Sequence, residues 1–290
     1  MRKFCLFLSV LPLLVACKSQ QIQPDYKPAA VLELEQVEAY SINQFNLYYN
    51  LIITNPLPIE AIIEIDNWDC IVNGMYLDCE NAALTLEGDE ALGIKLKVEP
   101  SSTVEKILTM NLDLKNQGQV LINNEGDEYI TKMSVNMIFH YEQGITYDYE
   151  AISDSSFPHI KEPQFTITSI AVLQAELVNT RFRVRIRIDN PNIFPVALSS
   201  FGYILYGDGR FWANGKENDL LDIPAQSSAE TNLYFMMNFI DMKRQLLDDI
   251  IAMRDVSYRF LGNVEVGTNI ALLPRFKMDF ERSGNSPVYK

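Results

Sequence analysis

The chain has 290 residues, 48% hydrophobic and 21% charged, with 38 acidic against 24 basic side chains and a formal charge of −14. Such an acidic balance argues against nucleic acid as a partner, because nucleic acid needs a basic surface. The length beyond residue 17 is enough for two domains of about 130 residues.

The N-terminus reads as a targeting segment rather than as part of a fold. Arg2 and Lys3 are basic, and Phe4 to Val15 is apolar apart from Ser9 and Pro12. The run is too short to span a bilayer, which takes about 20 apolar residues. Leu14-Val15-Ala16-Cys17 follows. This resembles the bacterial lipoprotein signal, in which small residues precede a cysteine that is acylated and becomes the first residue. The resemblance implies a signal peptide over 1–16 and several fatty-acyl (palmitate-type) chains on Cys17, since one chain anchors only marginally. Membrane lipid would then be one partner, with the folded part outside the cytoplasm of a bacterium. Residues 17–30, with Pro24 and Pro28, read as a flexible tether.

Phe45 to Ala61, FNLYYNLIITNPLPIEA, alternates apolar and polar residues and then meets Asn55-Pro56. Period two marks a strand with one buried face, and proline ends it because it cannot donate to the ladder. Next comes CIVNGMYLDC, Cys70 to Cys79, which reads as a hairpin. Two turns compete. A type I′ turn at Asn73-Gly74 would leave the cysteines diagonal. A type II′ turn at Gly74-Met75 would set Cys70 opposite Cys79, within disulfide reach. A shift of 133 residues places Tyr203 and Trp212 at these positions, a matching cross-strand pair. A Cys70–Cys79 disulfide is therefore expected in an exported chain; the alternative is two reduced cysteines used as small hydrophobes.

Further strands are predicted from Glu99 and from Tyr129, with a weak helix between them over 113–124. Ser, Pro and charge then cluster around Ser153–Glu162, where two independently folded units, 31–158 and 159–290, are expected to join. The halves differ in charge. Residues 18–158 carry 7 Lys and no Arg against 23 acidic residues, a net of −16, whereas 159–290 balance at 15 of each.

RFRVRIRIDNPNIFPV, Arg181 to Val196, repeats the first strand with an offset of 135. Phe182, Val184, Ile186 and Ile188 form an inward row and correspond to Leu47, Tyr49, Leu51 and Ile53. Asn190-Pro191 corresponds to Asn55-Pro56. Arg181, Arg183, Arg185 and Arg187 must face outward, since a core cannot accept unpaired guanidinium groups. IPAQSSAETNLYFMMNF from Ile223 matches the segment from Glu99, and YRFLGNVEV from Tyr258 matches YITKMSVNMIF from Tyr129. Leu246, Leu247, Ile250 and Ile251 share one helical face, which predicts an amphipathic helix over 239–255. Landmarks in one order, with drifting spacing, indicate a tandem repeat.

Each unit thus has about seven strands and one short helix, the pattern of a fibronectin- or immunoglobulin-like β-sandwich. The Asn-Pro-Asn strand end, the proline before the later strand, the helix and Tyr-x-x-x-Gly at Tyr258–Gly262 resemble the late-embryogenesis-abundant group-two domain, also called the water-stress and hypersensitive-response (WHy) domain. The resemblance covers nearly all of 31–285, twice. It is diluted in the first unit, where Leu57 replaces the second asparagine and Met133 the glycine. It implies a small β-sandwich, an association with stress protection and no established catalytic residue.

Nothing in the pattern points to an enzyme, a cofactor or a metal. His140 and His159 lack ligand spacing, and His159 is expected to be a solvated linker residue. No nucleophile elbow or phosphate loop occurs. Asp89-Glu90 and Asp248-Asp249 are adjacent and diverge, and Asn124–Glu128 lacks calcium-loop spacing. The arginine row is the candidate interaction face. It is offset either by acidic residues on neighbouring strands, by docking on the acidic first unit, or by anionic lipid or polysaccharide. The leading expectation is a non-enzymatic envelope lipoprotein that binds or protects. The alternative is an envelope-assembly or carbohydrate-binding protein on the same scaffold; exposed aromatics clustered on one loop end or sheet face would favour sugar binding, and their absence protein contact.

Overall fold

The alternating rows seen in the sequence become the inner faces of β-sheets. A computed structural model describes residues 27–77, 82–86, 95–114, 126–175, 179–218, 221–238 and 252–289. In β2 (Gln44–Asn55) the buried side chains are Phe45, Leu47, Tyr49, Leu51, Ile53 and Asn55. In β11 (Asn179–Asn190) they include Phe182, Val184, Ile186, Ile188 and Asn190. Burying each large apolar side chain contributes about 1.5–3 kcal/mol.

The described residues are all-β. The first half has β1 (Ala29–Ser41), β2, β3 (Ala61–Val72), β4 (Met75–Tyr76), β5 (Ala82–Leu86), β6 (Lys95–Val98), β7 (Ser102–Asp113), β8 (Glu128–Tyr141) and β9 (Thr146–Pro158). The second has β10 (Gln164–Ala175), β11, β12 (Val196–Gly207), β13 (Arg210–Glu217), β14 (Leu221–Ile223), β15 (Ser227–Asn238), β16 (Val256–Thr268), β17 (Arg275–Ser286) and β18 (Val288–Tyr289). The order β1-β2-β7 recurs as β10-β11-β15, and β4-β3-β8-β9 recurs as β13-β12-β16-β17. Strand β6 pairs with β3 as β14 pairs with β12. Within each half two sheets meet through aromatic rings. Phe45 packs on Tyr129 and Phe157, and Phe165 stacks on Phe201 and Phe280. The predicted helices over 113–124 and 239–255 lie almost wholly outside the described residues.

A buried asparagine closes each sandwich at the end of its second strand. The Asn55 amide donates to the carbonyls of Ile59 at 2.8 Å and Glu99 at 3.1 Å, and its Oδ1 accepts from the Leu57 N–H at 3.1 Å. The Asn190 amide donates to Phe194 at 2.9 Å and Pro224 at 3.1 Å, and its Oδ1 accepts from the Asn192 N–H at 3.0 Å. One side chain thus satisfies carbonyls of two chain segments that proline and the turn leave without ladder partners. Ser101 and Gln226 take matching left-handed conformations, φ 50° and 49°, and donate N–H to Leu57 O and Asn192 O.

The third motif residue explains where the halves diverge. Asn192 forms two bonds with the Lys161 backbone, accepting from its N–H at 2.7 Å and donating to its carbonyl at 2.8 Å. It thereby grips the chain that enters the second half. Its amide also donates to Asn190 Oδ1 at 2.9 Å. In the first half Leu57 cannot do this, and the Tyr141 hydroxyl donates to Asn55 Oδ1 instead, at 3.0 Å.

The region expected as an open linker is built into the fold. Ser153 to Pro158 belong to β9, and Ile160 is buried. His159 is half-exposed but has partners in the first half: its ring lies 4.8 Å from that of Tyr129 and its Nδ1 is 2.9 Å from Gly126 O. Lys161 pairs with Asp127 at 2.7 Å. Strand β1 meets β17 in parallel at Ala39 and Phe276, and Val37 N–H donates to Leu272 O. The halves stack end to end, with the Asn190 end of the second against the end of the first that holds Phe45, Tyr129 and Phe157.

Replacing Asn55 or Asn190 by Ala strands buried carbonyls and is expected to cost about 2–3 kcal/mol each. The Asp variants should cost at least as much, because a carboxylate would face carbonyl oxygens. Urea unfolding checks both, and a loss below about 0.5 kcal/mol would contradict the role of the amide.

Candidate interaction face

The four arginines occupy the outward positions of β11, the central strand between β10 and β15. Their partners are uneven. Arg187 bonds Asp189 of its own strand at 2.7 Å, and Arg185 faces Glu230 of β15 at 3.8 Å. Arg181 lies over the Tyr234 ring, 5.6 Å from its centroid. The Arg183 Nε is buried without a hydrogen-bond partner among the described residues. Neighbouring acids therefore offset two of the four, and half-exposed pairs of this kind contribute at most about 1 kcal/mol each. These partners all belong to the second half, and the contact between the halves is made by β1, β17 and the connecting segment. Among the described residues the arginines pair within the second half and not with the first.

The fold does not need arginine here. With the offset of 135, the equivalents of Arg181, Arg183, Arg185 and Arg187 in β2 are Asn46, Tyr48, Asn50 and Ile52. The same pleat and the same asparagine end occur there without any positive charge.

One row across this sheet combines charge with aromatic surface. Arg183 sits opposite Tyr234 on one side and Ala171 on the other, and Ala171 sits opposite Tyr289 of β18. Tyr234 and Tyr289 are 50% and 53% exposed. The C-terminal β18 pairing supplies Tyr289; so short a strand, set off by Pro287, gave no signal in the sequence.

Elsewhere the expected features resolve as follows. The hairpin turn is Asn73-Gly74, with φ 49° and 81° and Val72 opposite Met75. This is the type I′ alternative, not the type II′ register, and it sets Leu77 rather than Cys79 opposite Cys70: Leu77 N–H donates to Cys70 O at 2.9 Å. Asp208-Gly209 makes the same turn in the second half, φ 47° and 72°, so the hairpins align with an offset of 135 rather than 133. Tyr203 faces Gly215, and Trp212 packs near Phe182 and Phe235 instead of pairing with it. Cys70 is fully buried, and burial pushes its thiol up to about 12, which keeps it unreactive at neutral pH. Cys79 and Cys17 lie outside the described residues.

Gly262 faces Tyr203 and Phe280, and a Cβ there would lie 2.4 Å from the Phe280 ring. Strand pairing makes Val135 its counterpart rather than Met133, since Val135 faces Trp68 as Gly262 faces Tyr203. His140 Nε2 is 3.4 Å from Glu64 on the outer sheet surface. Asp89-Glu90, Asp248-Asp249 and Asn124–Glu125 are outside the described residues, and Asp127 is held by Lys161. Among the described residues no cluster of three or more His, Cys, Asp and Glu is arranged to hold a metal. A shallow depression of about 860 Å³ over β12, β16 and β17 is lined by Gly202, Asn263, Asp279, Glu281 and the Arg282–Glu162 ion pair.

A glutamate–tyrosine cluster that sequence reading missed sits on the β1–β2 hairpin. The hydroxyls of Tyr40 and Tyr48 both donate to Glu38 Oε2 at 2.8 Å, and Asn46 donates to Tyr40 at 2.8 Å. The Tyr40 and then the Tyr48 hydrogen bond hold the Glu38 carboxyl below its ordinary value of 4.5. The signal was available as Glu-x-Tyr facing Asn-x-Tyr across a tight turn.

Residues 185–281 match the family model described as late embryogenesis abundant protein, LEA_2. This supports a group-two domain of that family in the second half. A search of curated proteins returned no match. Among solved structures, a protein from Archaeoglobus fulgidus is 13% identical over 43% of this chain and 94% of its own, with a TM-score of 0.26. Bacteroides uniformis beta-glucuronidase 2 is 11% identical over 83% of this chain and 26% of its own, TM-score 0.26. Red sea bream transglutaminase is 10% identical over 91% and 31%, TM-score 0.27. The chain spans about a quarter to a third of these two enzymes. At such TM-scores these likenesses carry no argument about fold or activity.

Because the folded-state pKa of Glu38 is depressed, any stability its carboxylate adds is full above the ordinary value and fades as pH falls through the lower one. Tyr40→Phe removes the larger cause and should return the Glu38 titration toward 4.5. Carboxyl carbon NMR titration reads this directly, and an unchanged midpoint would contradict the assignment.

Proposed function

We propose that the chain is a membrane-anchored, non-enzymatic envelope lipoprotein carrying two late-embryogenesis-abundant group-two domains in tandem, with a binding or stress-protective role. The asparagine node carries this reading. It occurs in both halves with the same strand order, and the family match falls on the second. The Leu-Val-Ala-Cys context at residues 14–17 supports acylation of Cys17. Strand β1 starts opposite Thr54, at the Asn55 end and away from the second half. A tether at that end would hold the second half off the membrane by the length of a 13-residue strand, about 40 Å.

Intact-mass analysis of the membrane-extracted protein should give a chain that begins at residue 17 and carries acyl groups. A soluble form that begins elsewhere would remove the anchor. A protective role predicts that the full chain preserves a labile enzyme through drying better than an equal mass of serum albumin. Equal recovery would remove protection.

A further inference from the structure

We infer that the outer face of the β15-β11-β10-β18 sheet is a binding platform for an extended anionic polysaccharide, one that carries carboxylates or phosphates along its chain. Three observations bear on it. The arginines of β11 stand on alternate residues, so the charges repeat at about 6.8 Å along the strand. A guanidinium fork matches a carboxylate or phosphate better than it matches water, and among the described residues Arg185 and Arg187 have acidic partners while the Arg183 guanidinium forms no ion pair.

The face also carries two half-exposed tyrosines in register with Arg183. They lie three strand spacings apart, about 14 Å, on either side of the small side chain of Ala171. Such spacing leaves room for sugar rings to lie against flat aromatic surface while their acidic groups reach the arginines. Pyranose faces present C–H bonds, which pack on a ring's electron-rich face.

The substitution pattern adds a third argument. Asn46, Tyr48, Asn50 and Ile52 fill the same outward positions in the first half, so the arginines are not a requirement of the fold. Lipid of the anchoring membrane is disfavoured as the occupant, because the tether enters at the far end of the first half. That clause rests on the anchored reading; the glycan chemistry does not.

The test uses the full chain in detergent, passed over immobilised polygalacturonate, dextran and polyglutamate. Retention on polygalacturonate, absent on dextran and weakened by salt, is expected. Arg183→Ser with Arg185→Ser should weaken it at least about tenfold, and soluble polygalacturonate should compete. Tyr234→Ala with Tyr289→Ala keeps every charge and should also weaken it, which separates stacking from charge alone. Circular dichroism confirms that both pairs fold. No retention on polygalacturonate, equal retention on polyglutamate, or folded variants that bind as well as the parent would each overturn the proposal. The mass spectrum at Cys17 is a separate readout, so failure of the anchor and failure of the platform are distinguishable.

Discussion

A single buried amide holds the end of each sandwich. Where the second strand runs into proline, the backbone loses its ladder partner, and the carbonyls of two returning segments are left facing the interior. Asn55 and Asn190 answer them with one side chain that both donates and accepts. A buried polar group of this kind is tolerated because its bonds are made. The turn before β7 or β15 and the short pairing of β6 or β14 are all fixed relative to it. In the second half Asn192 extends the same network to Lys161, so the strand end and the join between the halves are one hydrogen-bonded unit. The β1–β17 contact at Ala39 and Phe276 adds a second link between the halves.

The interiors of the two halves are alike while their surfaces are not. Inward positions of β2 and β11 are all buried, but their outward positions read Asn, Tyr, Asn, Ile in one and four arginines in the other. Selection on a scaffold constrains the inner row through packing and leaves the outer row free to take up chemistry. The acidic excess of the first half and the arginine and tyrosine face of the second are therefore where a difference in role has to be sought.

Much of this architecture was legible in the sequence. Period-two rows and Asn-Pro ends gave the strands of β2 and β11, their inner faces and the offset of 135, because side-chain alternation is rigid. The hairpin register was not legible. Asn-Gly and Gly-Met both satisfy a two-residue turn, and what selects the first is a contact 57 residues away: Asn73 Oδ1 accepts from the Ile130 N–H at 2.9 Å. Asp208 does the same for Ser257 at 3.1 Å. The face around Arg183 was half legible. The arginines announced themselves, but Tyr289 reaches the row through a parallel pairing of the C-terminus that no local pattern encodes. The partners of His159 were not legible for the same reason, since Tyr129 and Gly126 are distant in the chain.

The central claim is that one asparagine network sets the second sandwich and its join to the first. Amide hydrogen exchange of the Asn190→Ala variant tests it most directly. The account predicts faster exchange confined to Lys161, to 192–196 and to 223–226, with the Asn55 node and the β2 core unchanged. Acceleration spread evenly over both halves, or none near Lys161, would contradict it.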